Sequence, residues 1–494
     1  MRLNLFPDKQ EYLNTAQKYN MVPVCSEILA DMETPVSILD KLYPANKGNI
    51  FLLESVEGGD RWGRYSFLGI GARMKLRVFG EDVEVVSGGR VERLAHNGNP
   101  FKLMRQIANR YKLAEFEQLP RVTAGFVGYM TYEMVSFFEN IPNKLAQGKS
   151  LASFIVPQTV LIFDNTKHTV KCVELSCIGE NDDPEQVYTQ ARAKLEKLTE
   201  MIRQPHQMRA TKDGTEDMNL RAFFAPEKYM EKVEKIKEHI YAGDIIQAVI
   251  SQPFICDAPA NMISLYRAQR YINPSPYMFF VDIDERTLIG SSPETMVRLE
   301  NGVASVRPIA GTRPRGATEQ QDRALADELL ADEKERAEHL MLVDLGRNDL
   351  GRLAQTGTVQ VTDLMFVERY SHVMHLVSNV VCNLEPGKDA YDLLEAAFPA
   401  GTLSGAPKVR AMELIAEYEE FARGPYGGCA GYISFNGNMD MAITIRTATI
   451  EDGKLTIQAG AGIVADSNPK SEYVETVNKS MSIQRALEFV NDIM

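Results

Sequence analysis

The stretch "AITIRTATIEDGKLTIQAG" (residues 442–460) is two extended runs rich in Ile and Thr, joined by Asp452-Gly453. Both residues of that dipeptide tolerate the positive φ of a tight type I′ turn, so the reading is a two-residue β-hairpin. The pattern recurs: "MVRLENGVASVRPI" (296–309) turns at Asn301-Gly302, and "VLIFDNTKHTVKCVEL" (160–175) reads as a third hairpin. Turns this short can join only antiparallel neighbours, because a parallel pair needs a long crossover. Elsewhere "RMKLRVFG" (73–80) alternates Met74, Leu76 and Val78 with Lys75 and Arg77, as a half-buried strand does. Helices are present too: "PEKYMEKVEKIKEHIYAGD" (226–244) sets Tyr229, Val233, Ile236 and Ile240 at helical spacing, with Gly243 as its stop. Strands and helices do not alternate strictly, and no G-x-G-x-x-G opens a helix after the first strand, which disfavours a Rossmann domain. G-x-x-x-x-G-K-[ST] and H-E-x-x-H are also absent. The class expected is α+β. The polar run "RQPHQMRATKDGTEDMN" (203–219) divides the chain into residues 1–202, a linker at 203–222, and residues 223–494.

With 494 residues, 44% of them hydrophobic, the chain can bury a sizeable core. The balance of 54 basic against 67 acidic residues, a net charge of -13, argues against nucleic acid or an anionic membrane as the main partner. An anionic substrate would need cations placed locally. Six cysteines (Cys25, Cys172, Cys177, Cys256, Cys382, Cys429) form no C-x-x-C pair, so reduced buried thiols are expected rather than a disulfide framework or a thiolate zinc site. The sequence has neither a signal-peptide-like apolar run at its start nor a membrane-length apolar stretch, and a cytoplasmic location is the expectation.

Two acidic pairs stand out. In "ERAEHLMLVDL" (335–345), Glu335 and Glu338 lie one helical turn apart, and Glu338 is followed at helical spacing by Leu342 and Leu345. A charge at the edge of an apolar stripe must reach water or meet a cation. In "KSEYVETVNKSMS" (470–482), Glu472 and Glu475 repeat the spacing, with Lys479 a turn further. One glutamate from each helix would suit magnesium, which takes one or two protein carboxylates and fills its octahedron with water and substrate oxygens. The same spacing also fits a solvated helix face.

A series of motifs in order resembles the chorismate-utilising enzyme family, and within it the large subunits of anthranilate synthases. They are "GDIIQAVISQPF" (243–254), "INPSPYMFF" (272–280), "GSSPE" (290–294), "PIAGTRPRG" (308–316) and "EHLMLVDLGRNDLGR" (338–352). "SHVMHLVS" (371–378), "GTLSGAPKVRAMELI" (401–415), "YGGCAGY" (426–432) and "AGAGIVADSNPKSEYVETVNK" (459–479) continue the series. The resemblance implies two antiparallel sheets packed face to face with helices outside. It also implies Mg²⁺ as cofactor, with Glu338 and Glu475 as ligands and Glu335 and Glu472 as supporting carboxylates. Glu294 matches the family's general acid, and His375 a histidine linked to pyruvate loss and aromatisation. Arg446, taken to lie on a strand face with Ala442 and Thr444, would grip a substrate carboxylate. Gly460, Ala461 and Gly462 would present backbone N–H groups to an anion. Gly311, Thr312, Tyr426 and Lys479 complete the implied substrate contacts.

Two positions discriminate within that family. Isochorismate and salicylate formers carry a lysine base where this chain has Gln247, which cannot take a proton to activate water. Aminodeoxychorismate synthases commonly carry lysine where "PIAGT" has Ala310. The resemblance therefore implies amination of chorismate by ammonia to give anthranilate; an aminodeoxychorismate synthase component I lacking its usual lysine is the alternative. No G-x-C-x-G-x-Q glutaminase motif is present, so use of glutamine implies a separate amidotransferase small subunit, in a heterotetramer by family habit. In "LLESVEGGDRWGRYS" (52–66), Leu53, Glu54 and Ser55 resemble one wall of a feedback site for L-tryptophan, with Pro276, Tyr277 and Met278 as the other wall.

Overall fold

The computed structural model describes residues 4–55, 63–120, 124–205, 217–370 and 373–493. All three hairpins form. Thr447–Glu451 returns as Lys454–Ile463 through Asp452 and Gly453, at φ 52° and 74°. Thr295–Glu300 returns as Val303–Val306 through Asn301 and Gly302, at 52° and 81°, and Ala152–Asp164 pairs with Thr169–Cys177. Positive φ at both central residues is what the dipeptides were suited for.

From Thr447–Glu451 the pairing runs antiparallel through Arg286–Ser292, Tyr277–Ile283, Asn49–Glu54, Tyr65–Val78 and Ala152–Asp164. A second layer starts from the other end of Ala152–Asp164 and passes through Gly125–Met130, Cys429–Ser434, Met439–Ile443 and Thr295–Glu300. Tyr65–Val78 and Ala152–Asp164, 14 and 13 residues long, therefore join the two layers into one network. The interior between the layers is built of strand side chains, among them Phe51, Val127, Ile155, Phe279 and Val281. Gly69 and Gly290 make room for it: a Cβ on either would lie 2.1 Å from the ring of its cross-strand partner, Phe51 or Phe279. Helices cover the outside. Pro226–Ala242 buries Tyr229, Val233 and Ile236 and ends on left-handed Gly243, as its spacing predicts.

The expected boundary does not separate two bodies. Glu54 pairs with Met278 and Gly128 with Gly431, so strands from either side share ladders and cores. Within the expected linker, residues 206–216 lie outside the described residues, and Arg221–Ala222 already pairs with Phe254 and Ile255. Among the described residues no helix is long and apolar enough to cross a membrane. All six cysteines are free, and five are buried.

Candidate active site

The strand Lys454–Ile463 pairs with Gln247–Asp257 along its whole length but with Thr447–Glu451 only as far as Thr456. Beyond that point Ile457, Gln458, Ala459, Gly460 and Gly462 line a cavity of about 370 Å³, a size that suits a small organic ligand. Glycine keeps this wall flat. A Cβ at Gly460 would lie 2.8 Å from the Tyr426 hydroxyl, and one at Gly462 2.4 Å from Gln247 Nε2. Ala461 faces the other way, into the apolar cluster with Tyr229 and Leu414, so its side chain is not part of the site. Lys479 Nζ donates to the Gly460 carbonyl at 2.8 Å and pairs with Glu475 at 2.7 Å.

Glu294 sits where the chain passes from Arg286–Ser292 in one layer to Thr295–Glu300 in the other. It is 9% exposed, and burial pushes its carboxyl up to about 7 against the pull of a Thr402 hydrogen bond, Arg446 and Lys479. Thr402 Oγ1 donates to Glu294 Oε1 at 2.9 Å. Near neutral pH such a group can carry a proton and still give it up, which a general acid requires. The sequence reading missed Thr402, although it lies in the quoted "GTLSGAPKVRAMELI"; a hydroxyl between glycines was the available signal.

Arg446 corrects an expectation. The strand Met439–Ile443 ends before it and the next begins at Thr447, so Arg446 lies in the break, in left-handed conformation at φ 48°. That break brings its side chain to the cavity wall. Its carbonyl accepts from Ser291 N at 3.3 Å, and burial draws the guanidinium pKa down while Glu294 opposes the shift.

His375 is on Val373–Asn383, opposite Thr312, and Gly311 forms the bulge between Ala310 and Thr312 with φ 69°. The bulge turns the Gly311 carbonyl onto His375 Nδ1 at 2.9 Å, with Thr312 Oγ1 at 3.1 Å. A carbonyl only accepts, so Nδ1 carries the proton and Nε2 keeps a lone pair. Burial lowers the His375 pKa, favouring the neutral ring. Gly311 thus acts through the histidine's tautomer and does not line the cavity.

Glu338 comes from the helix Glu333–Gly351, and Glu472 and Glu475 from Pro469–Ile493; all three line the cavity. The enclosing protein pushes the Glu338 carboxyl up, with Glu335 and Glu475 adding to the rise. Burial likewise pushes up Glu472, partly offset by a Ser467 hydrogen bond and reinforced by Glu475. Glu335 does not line the cavity; Arg313 Nη1 holds it at 3.4 Å. Among the described residues no three His, Cys, Asp or Glu are grouped to hold a metal by themselves. The donor set fits a hard ion that takes one or two carboxylates and completes its shell with water and substrate oxygens. Gln247 and Ala310 also line the cavity.

Behind the wall, Arg423 and Glu419 form a fully buried bidentate pair at 2.7 Å that also engages Ser251 and the carbonyls of Leu403 and Val249. Every polar atom of such a pair needs a partner in a dry interior, and here the partners tie three segments together behind the cavity.

The two proposed walls of the second site are neighbouring strands: Glu54 lies opposite Met278 and Leu53 opposite Phe279. Glu54 is buried, accepts from Tyr266 Oη at 2.5 Å, and has its carboxyl pushed up by burial. Met278 faces the apolar core, whereas Tyr277 Oη bonds Asp440 and Thr295, each at 2.9 Å. Ser55 and Pro276 are partly buried, and residues 56–62 lie outside the described residues.

A deep acid, a neutral histidine, an arginine and helix carboxylates around one cavity define an enzyme site for a small anionic substrate. The pattern of the chorismate binding enzyme family matches residues 51–485. The chain belongs to that family. It is 47% identical over 490 residues to anthranilate synthase component 1 of Pseudomonas putida, covering 97% of this chain and 98% of the relative. It is 45% identical over 496 residues to the Aquifex aeolicus protein of the same name, covering 100% and 99%. The crystal structure of anthranilate synthase component I from Streptococcus pneumoniae superposes with a TM-score of 0.76 at 36% identity, covering 92% of this chain and 98% of that one.

Proposed function

We propose that this chain aminates chorismate with ammonia and eliminates pyruvate to give anthranilate. The observation that carries the reading is the placement of a protonatable Glu294 and an unprotonated His375 Nε2 in one cavity whose nucleophile-side residue, Gln247, is not a base. Ammonia forms a bond to ring carbon 2, the double bonds shift, and the bond to the 4-hydroxyl breaks as Glu294 gives that oxygen its proton, releasing water. The ammonium so formed loses a proton to solvent. In the second stage His375 Nε2 takes the remaining hydrogen of carbon 2. The electron pair aromatises the ring as the bond from ring carbon 3 to the ether oxygen breaks, and the enolate released takes a proton at its methylene carbon to become pyruvate. Arg446 holds a ring or side-chain carboxylate by paired hydrogen bonds. Gln247 lets ammonia react while leaving water unactivated.

Magnesium, held by Glu338 and Glu475 with Glu472 beside them, would neutralise a substrate carboxylate and draw electron density from the ring. Delivery of ammonia from glutamine would fall to a separate amidotransferase subunit. L-Tryptophan would bind across Leu53–Ser55 and Pro276–Met278. Purified chain given chorismate, Mg²⁺ and an ammonium salt should form fluorescent anthranilate and one equivalent of pyruvate. Recovery of aminodeoxychorismate or isochorismate alone would overturn the assignment.

A further inference from the structure

The cavity wall holds four carboxylates, Glu294, Glu338, Glu472 and Glu475, and three cations, Lys334, Arg446 and Lys479. Lys479 is committed to Glu475 and the Gly460 carbonyl, and Arg446 lies at the deep end of the cavity, where it acts on Glu294 and His375 through its charge. Lys334 is different. It occupies the first turn of Glu333–Gly351, its backbone N–H held by Asp332 Oδ1 at 3.0 Å, and it precedes Glu338 by one turn on the same face. Its ammonium makes no hydrogen bond or ion pair among the described residues. Its sequence neighbours Asp332 and Glu335 are gripped by Arg313 at 2.8 and 3.4 Å. Lys334 and Glu338 line one cavity with Glu472 and Glu475 of the other helix.

We infer that Lys334 is the standing counter-cation of the carboxylate cluster, displaced in that role by the divalent ion and then turned toward a carboxylate of the substrate. The inference rests on the proposed function. The geometry gives it a physical reason: a site that must accept both a dication and a dianion cannot be left strongly negative beforehand, or it would repel the dianion. A lysine on a flexible stem supplies charge that can move when the metal arrives. Lys334 therefore opposes metal binding and favours substrate binding, two effects of opposite sign from one charge.

Mn²⁺, an oxygen-ligated probe whose free form is counted by electron paramagnetic resonance, can be titrated into the full chain without turnover. Lys334→Gln should bind Mn²⁺ about three- to tenfold tighter, while raising KM for chorismate by a similar factor and lowering kcat by less than about twofold. Lys334→Arg, which keeps the charge, should stay near the parent in both. Glu338→Gln serves as the control and should weaken Mn²⁺ binding at least about tenfold. Unchanged or weaker Mn²⁺ binding in Lys334→Gln, with Glu338→Gln impaired as expected, would overturn the role of Lys334 and leave the metal site standing. Unchanged binding in Glu338→Gln would overturn the carboxylate cluster as the metal site, and this inference with it.

Discussion

Glu294→Gln should make the protein inactive and, at alkaline pH, more stable. The parent carboxyl has an ordinary value of 4.5 and is pushed up to about 7 by burial, a difference equivalent to about 3 kcal/mol between the ionised and neutral forms. Because the folded value lies above the unfolded one, the folded state holds the proton more tightly. The associated stability is present in full below the unfolded value and is lost as pH rises through about 7. Glutamine never ionises, and its carbonyl can still accept from Thr402, so the variant avoids that loss. Its advantage in urea unfolding should be about 1 kcal/mol near pH 5.5 and about 3 kcal/mol near pH 8.5, levelling off beyond. Turnover should fall by about two to four orders of magnitude, the usual contribution of a positioned acid. Stability is the cleaner readout, because rising pH also increases the fraction of free ammonia and so distorts a rate profile. An advantage that is constant across this range, or a variant less stable than the parent near pH 8.5, would refute the assignment of Glu294 as a buried, proton-holding carboxyl.

Gly462→Ala puts a methyl group 2.4 Å from Gln247 Nε2, the movable end of a side chain. The chain should fold with a cost below about 1 kcal/mol, yet ammonia-dependent kcat/KM should drop about tenfold as the Gln247 amide is displaced; unchanged kinetics would remove Gln247 from the amination step. Tryptophan and chorismate should weaken each other's binding in calorimetry, since an inhibitor that favours one arrangement of the chain must be coupled reciprocally to a ligand that favours another. Ser55→Ala and Met278→Thr should each reduce tryptophan affinity, and binding indifferent to both substitutions and to chorismate would discard the second site.

Local chemistry determined the local elements. Asp452-Gly453 and Asn301-Gly302 specify turns through their own φ preferences, the 226–242 helix through its apolar spacing and Gly243, and the strand at 73–78 through its alternation. These need no distant partner, so a sequence displays them. The paired glutamates were drawn out by helical spacing and the other site residues by motif resemblance, and the structure brings twelve of them to one cavity wall: Gln247, Glu294, Thr312, Glu338, His375, Tyr426, Arg446, Gly460, Gly462, Glu472, Glu475 and Lys479. Tertiary structure alone decided the rest. Ala461 turns away because alternate residues of a strand face opposite sides, and which side is the cavity depends on the strand's partners. Gly311 acts through a carbonyl aimed at His375 by a bulge, and a bulge exists only relative to the strand it is paired with. Glu335 is taken by Arg313, and Lys334 is left without a partner among the described residues, by the packing of a helix on a strand segment about twenty residues earlier in the chain. The proton on Glu294 is the clearest case: nothing in "GSSPE" raises a carboxyl to about 7. Burial at the crossing between two sheet layers does, because desolvation is a property of everything around the group and not of its neighbours along the chain.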